Sequence, residues 1–111
     1  MNDFILNNGV KMPQVGFGTF LLHGEDCKNT VREDVSAGYR MIDTAEAYGN
    51  EDAVGDGIKE SGIDREELFL VTKVNFKSYE HTRETVKSSL RLLGTDYLDL
   101  VLLHWPFANY Y

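Results

Sequence analysis

Asp43, Tyr48, Lys73 and His104 are residue types that together can make a tuned proton donor. A tyrosine hydroxyl with an unperturbed pKa of about 10 is a poor acid at neutral pH, and a neighbouring ammonium improves it by favouring the phenolate. A lysine inside a cavity needs an anion to stay charged, which Asp43 can supply. A histidine alongside can hydrogen-bond a substrate oxygen and fix its position. Such a set suits carbonyl reduction, where an oxygen gains a proton while hydride arrives at carbon. No side chain delivers hydride, so a nicotinamide cofactor is implied.

Each residue alone has a plainer reading. Asp43, ahead of Thr44 and Ala45, reads as a cap of the following turn. Lys73 reads as a surface lysine laying its stem along the fold. Tyr48 reads as a half-buried loop aromatic, and His104, after Val101, Leu102 and Leu103, as a satisfied core histidine. A shared position is what would favour one site over four unrelated residues.

The elements supply that position. Residues 3–6 and 10–12, on either side of Asn7-Asn8-Gly9, read as a short β-hairpin, because Asn-Gly suits a turn needing φ > 0. Residues 14–20 read as a strand, or as a strand running into a loop. Residues 25–37 read as a helix, with Cys27, Val31 and Val35 four apart on one face and Gly38 at its stop. The unit then recurs: a strand at 39–44, a loop at 45–49, and a helix N-capped by Asn50, striped by Val54 and Ile58 and ended by Gly62. A strand follows at 68–74, then a helix capped by Ser78 or Thr82, striped by Val86, Leu90 and Leu93 and stopped by Gly94. The last strand, 97–104, is dense in Leu and Val, as a strand covered on both faces should be. The period of two puts Leu98, Leu100 and Leu102 on one side with His104.

Strict alternation implies an α/β fold of parallel strands, helices outside and right-handed crossovers. A doubly wound open sheet and part of a (β/α)₈ barrel both accommodate it, and the pattern does not separate them. In either, Asp43, Lys73 and His104 close successive strands and Tyr48 follows the first of these. Those are C-terminal strand ends, where parallel folds place chemistry.

Composition narrows the partners. The 111 residues suit one domain, and 42% hydrophobic content is enough for a core. A net charge of −7 argues against nucleic acid and against anionic membranes. No apolar run approaches the ~20 residues of a membrane span, and the N-terminus lacks the basic start of a secretory signal. Cys27 is the single cysteine, so no intrachain disulfide or cysteine zinc cluster can form, and no metal is expected. A reducing cytoplasm fits these features.

Longer strings surround the four residues. Gly16-Phe17-Gly18-Thr19-Phe20 comes first, then Gly38-Tyr39-Arg40-Met41-Ile42-Asp43-Thr44-Ala45-Glu46-Ala47-Tyr48-Gly49-Asn50-Glu51. Thr72-Lys73-Val74 and Leu103-His104-Trp105-Pro106 follow in that order. Together they resemble the opening of the aldo-keto reductases, over essentially the whole chain. The resemblance implies the N-terminal half of a (β/α)₈ barrel (strands one to four), with the hairpin closing its bottom. Residues 1–111 then form a single partial domain.

The resemblance also implies an extended nicotinamide cofactor at the barrel mouth, usually NADPH with NADH possible, and small aldehydes or ketones as substrates. By it, Tyr48 is the proton donor, Lys73 with Asp43 tunes it, and His104 orients the carbonyl. Trp105 and Phe20 wall the substrate pocket, and Phe76 adds a further apolar wall. Gly18, Thr19, Phe20 and Asp43 meet the cofactor. Gly16 and Gly18 do not form a dinucleotide fingerprint, since the G-x-G-x-x-G spacing is absent. Family members run to about two and a half times this length, as whole barrels do. Their further part holds strands five to eight, most nicotinamide contacts and the basic cluster for the adenosine phosphate. The leading expectation is therefore an oxidoreductase whose isolated 111-residue chain is inactive. Its rivals are a non-catalytic truncated or engineered half-barrel that self-associates through open sheet edges, and a regulatory cofactor binder. The intact set of four argues against the last.

Overall fold

A computed structural model of the chain describes residues 3–105, so Pro106 of the last string lies outside the described residues. Strands β1 (Phe4–Ile5) and β2 (Lys11–Met12) form the expected antiparallel hairpin. The Leu6 carbonyl accepts from Gly9 N–H at 2.9 Å, and Leu6 N–H donates to Val10 at 2.9 Å. Positive φ falls on Gly9 alone, at +85°, so the turn is a three-residue loop with glycine at its bulge.

The second sheet is fully parallel and runs β3 (Phe17–Gly18), β4 (Met41–Asp43), β5 (Phe69–Val74), β6 (Leu100–Leu103). The strand expected over 14–20 shrinks to two residues. Strand order follows chain order without reversal. A doubly wound sheet reverses at a switch point, so the sheet is a segment of barrel.

Helices α1 (Gly24–Ser36), α2 (Glu51–Ser61) and α3 (Thr82–Leu93) pack side by side, α1 on α2 and α2 on α3. Cys27, Val31 and Val35 of α1 are buried, as their spacing predicts, over Ile42, Val54, Leu70 and Leu93. Two glycines let α2 fit between its neighbours. A Cβ at Gly57 would lie 2.6 Å from the Lys28 carbonyl oxygen, and one at Gly55 would lie 2.7 Å from that of Leu92.

Three expectations need correction. Helix α3 buries Thr85, Ser89 and Leu93, while Val86 and Leu90 are only half-buried. Ser89 and Thr72 turn inward because both hydroxyls donate to the Glu51 carboxylate, at 3.0 and 2.7 Å. Neither Ser78 nor Thr82 caps α3 with its side chain: Thr82 donates to the Tyr79 carbonyl, and Ser78 to Glu46. Strand β6 is not covered on both faces, since Val101, Leu102 and Leu103 are all exposed. It is the sheet's edge, and Leu98, which precedes it, packs on the helix-side core instead of sharing the face of Leu102.

Candidate active site

Alternation along the strands aims the ionisable groups. Ile42 of β4 and Leu70 of β5 join the core under the helices, and Thr72 reaches Glu51 of α2. Asp43 and Lys73 therefore point to the opposite, uncovered face. There the Lys73 ammonium donates to Asp43 Oδ1 at 2.6 Å, to the Thr44 carbonyl at 2.9 Å and to the Tyr48 hydroxyl at 3.3 Å. All three ammonium protons thus have acceptors. Asp43, read singly as a turn cap, holds the ammonium instead.

Tyr48 arrives on a 3₁₀ turn, Glu46–Tyr48, ended by Gly49 at φ +67°. The Glu46 carboxylate accepts from Asn75 N–H at 3.0 Å and from Ser78 Oγ at 3.3 Å. It ties this turn to the segment after β5, a role the sequence did not disclose.

His104 extends the sheet, donating its backbone N–H to the Val74 carbonyl at 2.9 Å. Its ring meets Tyr48 edge-on at 5.7 Å and stacks on Trp105 at 5.4 Å. Nδ1 is buried with no hydrogen-bond partner among the described residues. Burial and, after it, the Lys73 charge lower its pKa from the usual histidine value, against an opposing pull from Asp43. The lowered value favours the neutral imidazole. Tyr79 donates to the Trp105 carbonyl and accepts from Trp105 N–H, anchoring that corner.

The rim is aromatic. Phe20 tilts on Tyr48 with ring centroids 5.2 Å apart, yet is 63% exposed, and Trp105 is 45% exposed. Phe76 stands half-exposed at the start of the 3₁₀ segment Phe76–His81. Gly18 pairs in register with Asp43, and a Cβ there would meet nothing within 4 Å. Thr19 is different. Its side chain is fully buried and donates to Thr44 Oγ1 at 2.9 Å, so any cofactor contact from this position comes from its main chain.

Asn50 is also unlike its expectation. Its carbonyl accepts the first helical bond of α2, from Val54, but its side chain makes no cap bond. Instead Oδ1 accepts from Thr44 Oγ1 at 3.1 Å, and Nδ2 donates to the carbonyls of Thr19 at 2.7 Å and Leu22 at 2.9 Å. Thr19, Thr44 and Asn50 thus close a buried ring of hydrogen bonds. The bridged carbonyls bracket a turn in which Leu22 N–H bonds the Thr19 carbonyl and Leu21 takes φ +66°. That third position ordinarily belongs to Gly or Asn.

At the other end of the strands, a cleft of about 720 Å³ opens beside the hairpin, lined by residues that include Lys11, Arg40, Phe69 and Asp99. None of the four ionisable residues lines it. No helix among the described residues is long and apolar enough to cross a membrane.

Known proteins bear on this geometry. The model of the Aldo/keto reductase family matches residues 14–111. Morphine 6-dehydrogenase of Pseudomonas putida is 49% identical over 108 residues, 95% of this chain and 36% of that protein. The crystal structure of an aldo/keto reductase from Brucella melitensis superposes with a TM-score of 0.91 at 44% identity, covering 96% of this chain and 41% of that one. An aldo-keto reductase of Bombyx mori, solved in complex with NADP, gives 0.88 at 36% identity over 96% and 38% of the two chains.

Proposed function

The chain belongs to the aldo/keto reductase family, and from that premise we propose that it supplies the proton-transfer side of an NAD(P)H-dependent carbonyl reductase. The observation that carries this is the Lys73 ammonium held at once by Asp43, the Thr44 carbonyl and the Tyr48 hydroxyl. A carbonyl oxygen placed between Tyr48 and His104 takes its proton from the Tyr48 hydroxyl. The charge left on the phenol oxygen meets an ammonium already in hydrogen-bond reach, so little reorganises as it develops. Asp43 keeps that ammonium neutralised on its other side. His104, with Nδ1 turned into the fold and its neutral form favoured by burial, offers Nε2 to orient the same oxygen.

The open face fits a flat ring. Gly18 leaves clear space beside Asp43, with the Phe20 ring at the rim, so Gly18, Phe20, Asp43 and the main chain of Thr19 would hold the nicotinamide end of NADPH or NADH. The bound nicotinamide supplies the hydride that no side chain can. Trp105, Phe20 and His104 would wall the substrate, an aldehyde or ketone reduced to its alcohol. Complex formation of the Bombyx mori relative with NADP supports the cofactor assignment. The single cysteine fits a cytoplasmic setting, and the charge of −7 fits no nucleic-acid or anionic-membrane partner.

The test is Tyr48→Phe in a full-length barrel that carries this chain. Turnover should fall by ~10²–10⁴ with the fold kept, the usual contribution of a general acid. Near-normal turnover would remove tyrosine from the role. By itself the chain, spanning about two-fifths of the solved relatives, is proposed to lack turnover. A second reading, association of this chain with another copy, is favoured by the exposed Val101, Leu102 and Leu103 on an edge strand.

A further inference from the structure

The turn at residues 19–22 is awkward by its own chemistry. A γ-branched leucine occupies left-handed backbone at φ +66°, the one non-glycine among the described residues to do so. Leu21 is 70% exposed, so no packing of its side chain holds it there. What does hold the turn is Asn50, buried on the far side, whose amide bonds the carbonyls at both of its ends. The same amide is fixed by Thr44, whose hydroxyl also receives Thr19. The turn in its clamped form places the Phe20 ring against Tyr48.

We infer that Asn50 is a positioning residue: it clamps the strained turn and so sets where Phe20 stands at the mouth of the site. The inference rests on the carbonyl-reductase reading only for its kinetic consequence. Lys73 bonds the main-chain carbonyl of Thr44, not its side chain, so loss of the clamp reaches the wall before it reaches the acid. The start of α2 is also spared, because the Asn50 side chain caps nothing.

Amide exchange of the 111-residue chain tests the clamp without reference to activity. In Asn50→Ala the Leu22 amide should exchange about 100-fold faster, as a locally opened bond does, while the Phe69 and Thr44 amides of the sheet keep their protection. Asn50→Asp, which keeps the volume but removes the donors, should do the same. Adding Leu21→Gly to either variant should restore most of the Leu22 protection, since glycine takes positive φ without strain. Unchanged Leu22 exchange, a loss spread evenly through the sheet, or no rescue by Leu21→Gly would each overturn the clamp. In a full-length barrel carrying the chain, Asn50→Ala should raise KM for an aromatic aldehyde about tenfold with kcat changed much less. A loss confined to kcat would also overturn it. Absence of any carbonyl reduction by the unmodified barrel would sink the functional reading alone, leaving the exchange result to judge the clamp.

Discussion

Lys73 has three ammonium protons and three different acceptors, and of these Tyr48 is the one proposed as the proton donor. The other two fix the angle at which the charge meets the phenol. Lys73→Met in a full-length barrel should therefore cost nearly as much turnover as Tyr48→Phe. Combining the two should add little, because residues acting as one unit are far from additive. Steady-state kcat values that multiply across the double mutant would contradict the coupling. Asp43, Lys73 and His104 were legible in the sequence because ionisable types at the ends of apolar runs stand out, and Tyr48 because it follows the first of them in the loop. Glu46, Tyr79 and Asn50 were not. A polar residue in a loop or before a helix has an ordinary local use, and the distant partners, Asn75 for Glu46, Trp105 for Tyr79 and Thr19 for Asn50, lie 26 to 31 residues away. Only the folded sheet brings those partners into reach.

At the scale of elements, α2 is the member on which the others lean. Its two glycines decide how near α1 and α3 may come. Gly57→Ala would gain up to about 1 kcal/mol in helix propensity. The new Cβ, however, would press on the Lys28 carbonyl, main chain that yields only if α1 shifts; overpacking of that kind costs about 1–3 kcal/mol. The net expectation is a lower urea midpoint, and a stabilised Gly57→Ala would show that α1 moves freely. Glu51 opens the same helix with a buried carboxylate whose pKa burial raises, against the opposing hydroxyls of Thr72 and Ser89. A raised folded pKa means that its contribution is complete below the unfolded value of about 4.3 and fades as pH rises through the folded one. Glu51→Gln keeps the shape without the charge. It should be more stable than the parent at about pH 8, with the advantage shrinking toward about pH 5; urea unfolding at both values would decide, and an equal difference at each would contradict this. The hairpin, the helices and the alternation of strand with helix followed from turn residues and apolar spacing, whereas those signals left the strand order open between two architectures. Nor did the inward stripe of α3 follow from them, because a shared carboxylate, not hydrophobicity, draws Thr72 and Ser89 inward.

For the molecule as a whole, the exposed β6 edge is the surface that offers most to a partner. Val101, Leu102 and Leu103 face solvent there, with Trp105 beside them. Covering such side chains is worth roughly 1.5–3 kcal/mol each, a sum comparable with the ~5–15 kcal/mol that keeps an ordinary domain folded. Sedimentation of the 111-residue chain should show concentration-dependent association, and fluorescence titration should show weak NADPH binding or none. A stable monomer with micromolar cofactor affinity would refute both expectations. The way the rim is held has a consequence for how the chain can change over generations. Asn50 grips the turn through carbonyl groups, which every amino acid possesses, while the side chains of Phe20 and Leu21 project outward and carry none of that load. Mutational drift, or a laboratory library, can rewrite positions 20 and 21 (the latter most readily with Gly or Asn) and, under the proposed function, would thereby alter which carbonyl compounds are accepted. Thr19, Thr44 and Asn50 have no such latitude, so under the same reading a lineage would acquire new substrates while Tyr48 and Lys73 are inherited intact.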